Sequence, residues 1–247
     1  MHSFVTIFCV LIAISGCVKL PSTFQKCDRN KSDFNPCVAK AVENAISQLN
    51  HAIPSVGLIG LEPLEISFMS IAPGGGPASF SHNYTNLKLS GLTQGKVSKF
   101  DVDFDKKIIY FDFTIPHLRL DFMYDATGKI LVLPIDGHGP GVIDLSDLLL
   151  SFTFDLEVYE KNGKKYYKII GSRLTLQPKL IHYKLDNLFN GDERLGKQIN
   201  DVLNDNWSDI FSDLKSSYEE SFNKIFTNTF DRLLGKVPVD EIFGYGK

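Results

Sequence analysis

Enzymatic chemistry needs a nucleophile, a base or a metal-ligating set at a defined spacing, and this 247-residue chain offers few such arrangements. Its densest carboxylates, Asp101, Asp103, Asp105 and Asp112, alternate with Phe100, Val102, Phe104, Phe111 and Phe113. Alternation of that kind puts carboxylates on the wet face of a strand, not on two sides of a scissile bond. No Gly-x-Ser-x-Gly elbow supports acyl transfer. The six histidines (His2, His51, His82, His117, His138, His182) lie scattered and share no metal-ligand spacing. Gly137-His138-Gly139-Pro140-Gly141 lacks the glycine spacing of a dinucleotide loop and is expected to be a turn. Pro73-Gly74-Gly75-Gly76-Pro77 reads as a loop, either a plain turn or the rim of a cavity. The residues describe a non-enzyme with no metal and no cofactor.

Other features concern location and covalent chemistry. Residues 4–14 form a short apolar run, and Ser15, Gly16 and Cys17 follow it as small residues. The run is short for a bilayer span, so residues 1–17 are expected to be a cleaved signal peptide, with a retained anchor as the alternative. The mature chain, residues 18–247, is then secreted and reads as one domain without stable membrane insertion. Of four cysteines, Cys27 and Cys37 remain, and in an oxidising compartment they should form one disulfide. Three sequons, at Asn30, Asn83 and Asn206, are open to glycosylation. A net charge of −3 provides no basic field for nucleic acid.

The elements follow from periodicity. Asn35 and Pro36 are placed to start a helix whose apolar face is Val38, Ala41, Val42, Ala45, Ile46 and Leu49. From Leu61 to about Leu185 the period becomes two, as in Phe111-Phe113-Ile115, Leu118-Leu120-Phe122 and Phe152-Phe154-Leu156-Val158. Turns are expected at residues 105–107, at residues 126–129 and at Lys161-Asn162-Gly163-Lys164, so the strands should form an antiparallel meander. Ile199, Leu203, Trp207, Ile210, Phe211, Leu214, Tyr218, Phe222, Ile225, Phe226, Phe230 and Leu233 then recur at steps of three and four. They predict one helix from Leu195 to Leu234, about 60 Å long at 1.5 Å per residue, with a bend near residues 215–217 as an open question. A compact sphere of this chain would be only about 45 Å across. A long apolar stripe and a broad aromatic sheet face, each without another partner, satisfy one another when the sheet curves around the helix.

Ordered segments carry a family likeness. They are Leu20-Pro21-Ser22, the pair Cys27 and Cys37 with Phe34-Asn35-Pro36, Ala52-Ile53-Pro54-Ser55-Val56-Gly57, and Leu61-Glu62-Pro63-Leu64-Glu65-Ile66. The glycine-bearing segment 137–141, Leu203-Asn204-Asp205-Asn206-Trp207 and Val237-Pro238-Val239-Asp240-Glu241-Ile242-Phe243 complete the set. Together they resemble the insect takeout and juvenile-hormone-binding protein family. The resemblance implies an α+β fold of the tubular lipid-binding superfamily: one strongly curved antiparallel sheet around a long C-terminal helix, with an elongated internal cavity for a hydrophobic ligand. Juvenile-hormone-binding members look to carry a second disulfide, and no cysteine follows Cys37, so the chain is closer to the takeout branch.

Nineteen Phe and nine Tyr exceed what closing two layers requires. From periodicity, Phe111, Phe113, Phe122, Phe152 and Phe154 on strands and Ile210, Phe211, Leu214 and Phe222 on the helix are the expected cavity lining. Burying about 300 Å² of a terpenoid such as juvenile hormone, a fatty acid or another lipid would yield roughly 7 kcal/mol before association costs. The expected function is a secreted carrier of a small hydrophobic ligand. The alternative is a secreted protein-interaction or membrane-surface module.

Overall fold

A computed structural model describes residues 18–244; the expected signal peptide lies outside the described residues. Helix α1 (Phe34–Ser47) is followed by strands β1 (Leu64–Ile71), β2 (Ala78–Ser90), β3 (Lys96–Asp103), β4 (Ile108–Ile130), β5 (Leu133–Lys161), β6 (Lys164–Gln177) and β7 (Leu180–Leu185). Helices α2 (Glu193–Asp205), α3 (Trp207–Lys236) and α4 (Val239–Phe243) complete the chain. The seven strands form one antiparallel sheet in the order β1-β2-β4-β5-β6, with β3 also on β4 and β7 also on β5.

Strand length forces the shape. The 29 residues of β5 would run about 95 Å if straight, at roughly 3.3 Å per residue. That is twice the width of a compact fold this size, so the sheet must coil, and its concave face closes over α3. Both central strands change phase where they coil. Ile109, Phe111, Phe113 and Ile115 point inward before Pro116-His117; Leu118, Leu120, Phe122 and Tyr124 point inward after it. Opposite them, Leu145 gives way to Leu148, with His117 paired to Ser146 and Asp147 at positive φ. One outward step taken by both strands keeps the apolar set inside through the bend.

The sheet is not closed by strand pairing; helix side chains cover its edges instead. Asn204 and Asn200 present their amides to Tyr183 and Leu185 on β7, each accepting from the backbone N–H and donating to the carbonyl at 2.7–2.9 Å. The match is geometric: four helical residues rise about 6 Å and two strand residues about 6.6 Å. On β6, Glu219 accepts from Leu176 N–H and Asp231 from Ile169 N–H, both at 2.8 Å. Edge groups that would otherwise invite another strand are thereby satisfied.

The structure corrects four local expectations. The C-terminal stripe is two helices, broken at Asn206 (φ −117°, ψ 21°) and continuous through residues 215–217. The break lets α2 follow β7 while α3 follows the sheet axis. Residues 126–129 are not a turn but the end of β4, and the chain reverses at Leu131-Val132. Residues 137–141 are not a turn but part of β5, with Gly137, Gly139 and Gly141 facing inward. A Cβ on Gly141 would stand 2.5 Å from the Phe122 ring, so glycine here makes room for the neighbouring strand's aromatics. Finally, α1 begins at Phe34 without a side-chain cap, and Asn35 donates to Asp101 instead.

Candidate functional site

Three cavities lie in a row between the concave face of the sheet and the helices. The widest, about 180 Å³, is walled by the apolar face of α1 (Val38, Ala41, Val42, Ala45), by Phe111, Phe113, Phe152 and Phe154 of β4 and β5, and by Phe226, Phe230 and Leu233 of α3. Gln25 and Thr229 are the polar side chains on its wall. Aromatic rings set its shape: Phe111 stacks on Phe152 at 4.7 Å, Phe226 meets Phe152 edge-on at 5.6 Å, and Phe230 sits 5.3 Å from Phe154. These offset and edge contacts hold the rings as a rigid wall. The Cys27–Cys37 disulfide, expected from the cysteine count, ties α1 to the segment before it beside this cavity.

A second cavity of about 40 Å³ follows, sharing Leu92, Leu150 and Phe226 with the first. A third, about 20 Å³, shares Ile143, Tyr183 and Tyr218 with the second. The α3 residues lining the row run from Ile210 to Leu234, about 36 Å of helix at 1.5 Å per residue.

The third cavity differs in chemistry. His82 is buried (3% exposed), its Nε2 lies 3.0 Å from Tyr218 Oη, and Tyr84 Oη lies 2.7 Å from the same oxygen. Burial lowers the imidazole from 6.5 to about 4, a backbone interaction with Phe80 offsetting part of the effect, so the ring is neutral at physiological pH. Burial likewise holds the phenols of Tyr84, Tyr183 and Tyr218 protonated.

The structure distributes the expected lining residues among these spaces. Phe111, Phe113, Phe152 and Phe154 border the wide cavity, Phe211 and Phe222 the middle one, and Ile210 and Leu214 the narrow one. Phe122 borders none of the three and packs against Tyr84 at 4.4 Å. The wall contributed by α1 was visible as an apolar helix face with no assigned partner. The His82 cluster was missed, although Phe80-His82-Tyr84 alternates in phase with its inward neighbours on β2.

A curved open sheet rolled around a helix, with apolar cavities strung along the axis, defines the class of tubular lipophilic-ligand carriers. The chain belongs to the haemolymph juvenile hormone binding protein family, whose model matches residues 4–244. It is 28% identical over 191 residues to the circadian clock-controlled protein daywake of Drosophila melanogaster, covering 74% of this chain and 72% of that one. It is 22% identical over 156 residues to a putative beta-carotene-binding protein of Schistocerca gregaria, covering 62% and 61%. Takeout 1 of Epiphyas postvittana superposes with a TM-score of 0.78 at 26% identity, covering 88% of this chain and 98% of that one.

Proposed function

We propose that this protein is a secreted carrier holding one small hydrophobic molecule, a terpenoid, fatty acid or similar lipid, in the wide cavity. The observation that carries the reading is the 180 Å³ space with an almost wholly apolar wall. A dry apolar void of about 150 Å³ already binds a benzene-sized guest. A longer guest extends toward the middle cavity when Phe226, Leu92 and Leu150 turn aside. Affinity then comes from area removed from water and needs no reactive residue. The family's haemolymph name and the carotenoid named for the locust relative support the ligand class and an extracellular setting. No helix among the described residues is long and apolar enough to cross a membrane. Glycosylation suits exposed Asn30 best, because Asn83 on β2 and Asn206 at the helix break are both half-buried.

Uptake of a hydrophobic fluorescent probe tests the proposal. Wild-type protein stripped of lipid should bind the probe with micromolar affinity, and Ala45→Trp, which projects an indole into the wide cavity, should abolish binding while preserving the far-UV circular dichroism. Equal binding by both proteins would place the probe elsewhere and overturn the reading.

A further inference from the structure

The narrow cavity is the one place in the row where polar side chains gather, and hydrogen-bond counting shows that they do not satisfy one another. Each phenol can donate once and accept twice, and a neutral imidazole donates through one nitrogen and accepts through the other. If Tyr218 donates to His82 Nε2, then Tyr84 donates to Tyr218, and His82 carries its proton on Nδ1. If His82 donates from Nε2, Tyr218 donates to Tyr84, the Tyr84 proton has no acceptor within the cluster, and Nδ1 becomes a bare acceptor. In both tautomers capacity is left over. His82 Nδ1 is buried without a side-chain partner, and the ring's hydrogen bond to the Phe80 backbone can serve that nitrogen only while it carries the proton. In the other tautomer it is a buried acceptor that costs free energy until something pairs with it.

The setting says what that something is. The wall of the narrow cavity contains His82, Tyr84, Tyr124, Tyr183 and Tyr218 but no Asp, Glu, Lys or Arg. A carboxylate head group there would lose its hydration and find no counter-charge. A hydroxyl, ketone, ester or epoxide would lose far less and could donate or accept as the cluster requires. The 20 Å³ space admits a group of about one water's size. Tyr183 and Tyr218 are shared with the middle cavity, so a head group here leaves its tail pointing along the apolar row.

We propose that His82, Tyr84 and Tyr218 form a head-group site that selects lipids ending in a neutral hydrogen-bonding group over lipids ending in a carboxylate. The inference rests on the carrier reading above and deepens it. The same geometry gives the ligand a direction: polar end beneath α2 and β7, tail toward α1 and the disulfide.

Competition against a bound fluorescent probe at pH 7.5 tests it, using 1-hexadecanol, palmitate and hexadecane on the full mature chain. Hexadecanol should displace the probe at least tenfold more tightly than palmitate, and Tyr218→Phe should shrink that ratio at least fivefold while the hexadecane affinity stays constant. In parallel, ¹⁵N chemical shifts of the His82 ring should move on adding hexadecanol and stay fixed on adding hexadecane. That second readout uses wild-type protein and stands if Tyr218→Phe does not fold. Equal affinity for alcohol and acid, or a His82 ring indifferent to hexadecanol because the cluster holds only internal water, overturns the head-group site. Failure of the probe to bind at all overturns the carrier reading instead, so the two failures are distinguishable.

Discussion

Protonation of His82 should make the fold acid-sensitive by an amount the structure sets. The imidazole titrates at 6.5 when solvated and at about 4 in the folded chain, with burial as the leading cause. The unfolded chain therefore binds more protons than the folded one between those two values, and stability falls as pH drops through that window. Above 6.5 both states are neutral and the effect vanishes; below 4 both are charged and it saturates. The gap between the two values, at about 1.4 kcal/mol for each tenfold change in proton affinity, sets the full loss at roughly 3 kcal/mol. Of that, about 2 kcal/mol should be lost between pH 7.5 and pH 5. Carboxylates add their own acid dependence, so the informative quantity is a difference. Urea denaturation of wild type and His82→Gln at pH 7.5, 6.5, 5.5 and 5 should give curves that converge as pH falls. The variant should lose about 2 kcal/mol less than wild type over that range. Any fixed cost of the substitution offsets the whole curve without changing this slope. Parallel curves would refute the burial argument, because they would mean that His82 accepts its proton equally well folded and unfolded.

Other perturbations probe other parts of the structure. Asn204→Leu leaves the Tyr183 N–H and carbonyl on β7 without their partners, and thermal or urea denaturation should show a loss of about 2 kcal/mol. Serine at both Cys27 and Cys37 opens the loop that the bridge closes over a sequence separation of 10; the chain-entropy model expects about 3 kcal/mol less stability, measurable as a lower urea midpoint. Phe226→Trp enlarges the side chain shared by the wide and middle cavities. Affinity for a ligand of about ten carbons should change less than threefold, while affinity for one of twenty should fall tenfold or more in the same displacement assay.

Much of this architecture was legible in the residues, because alternation and helical spacing are direct records of which face is buried. Phe111-Phe113-Ile115 and Phe152-Phe154-Leu156 announced inward strand faces, and the stripe from Ile199 to Leu233 announced that something must cover it. Segments whose inward residues are not apolar escaped. Gly137, Gly139 and Gly141 face the interior but carry no side chain, so an uninterrupted strand looked like a turn. The helix break at Asn206 was hidden because Asn200 and Asn204 serve the edge of β7, a tertiary role that no helical period reveals. The cavity residues were only partly legible for a related reason. Periodicity separates inside from outside, but it cannot separate Phe122, packed on Tyr84, from Phe111, which borders open space. His82 was passed over because a lone histidine carries no signal until Tyr84 and Tyr218, 134 residues apart in sequence, are brought together.

The central claim, that the space between sheet and helix exists to hold a hydrophobic molecule, is tested most directly by native mass spectrometry of protein purified from a secretory host under conditions that retain lipid. The account predicts a one-to-one adduct with a small organic molecule, released on denaturation and recoverable by organic extraction. It also predicts that Ala45→Trp, made in the same host, carries no such adduct. Wild-type protein at its bare polypeptide mass, with nothing in the extract and no uptake of added lipid, would contradict it.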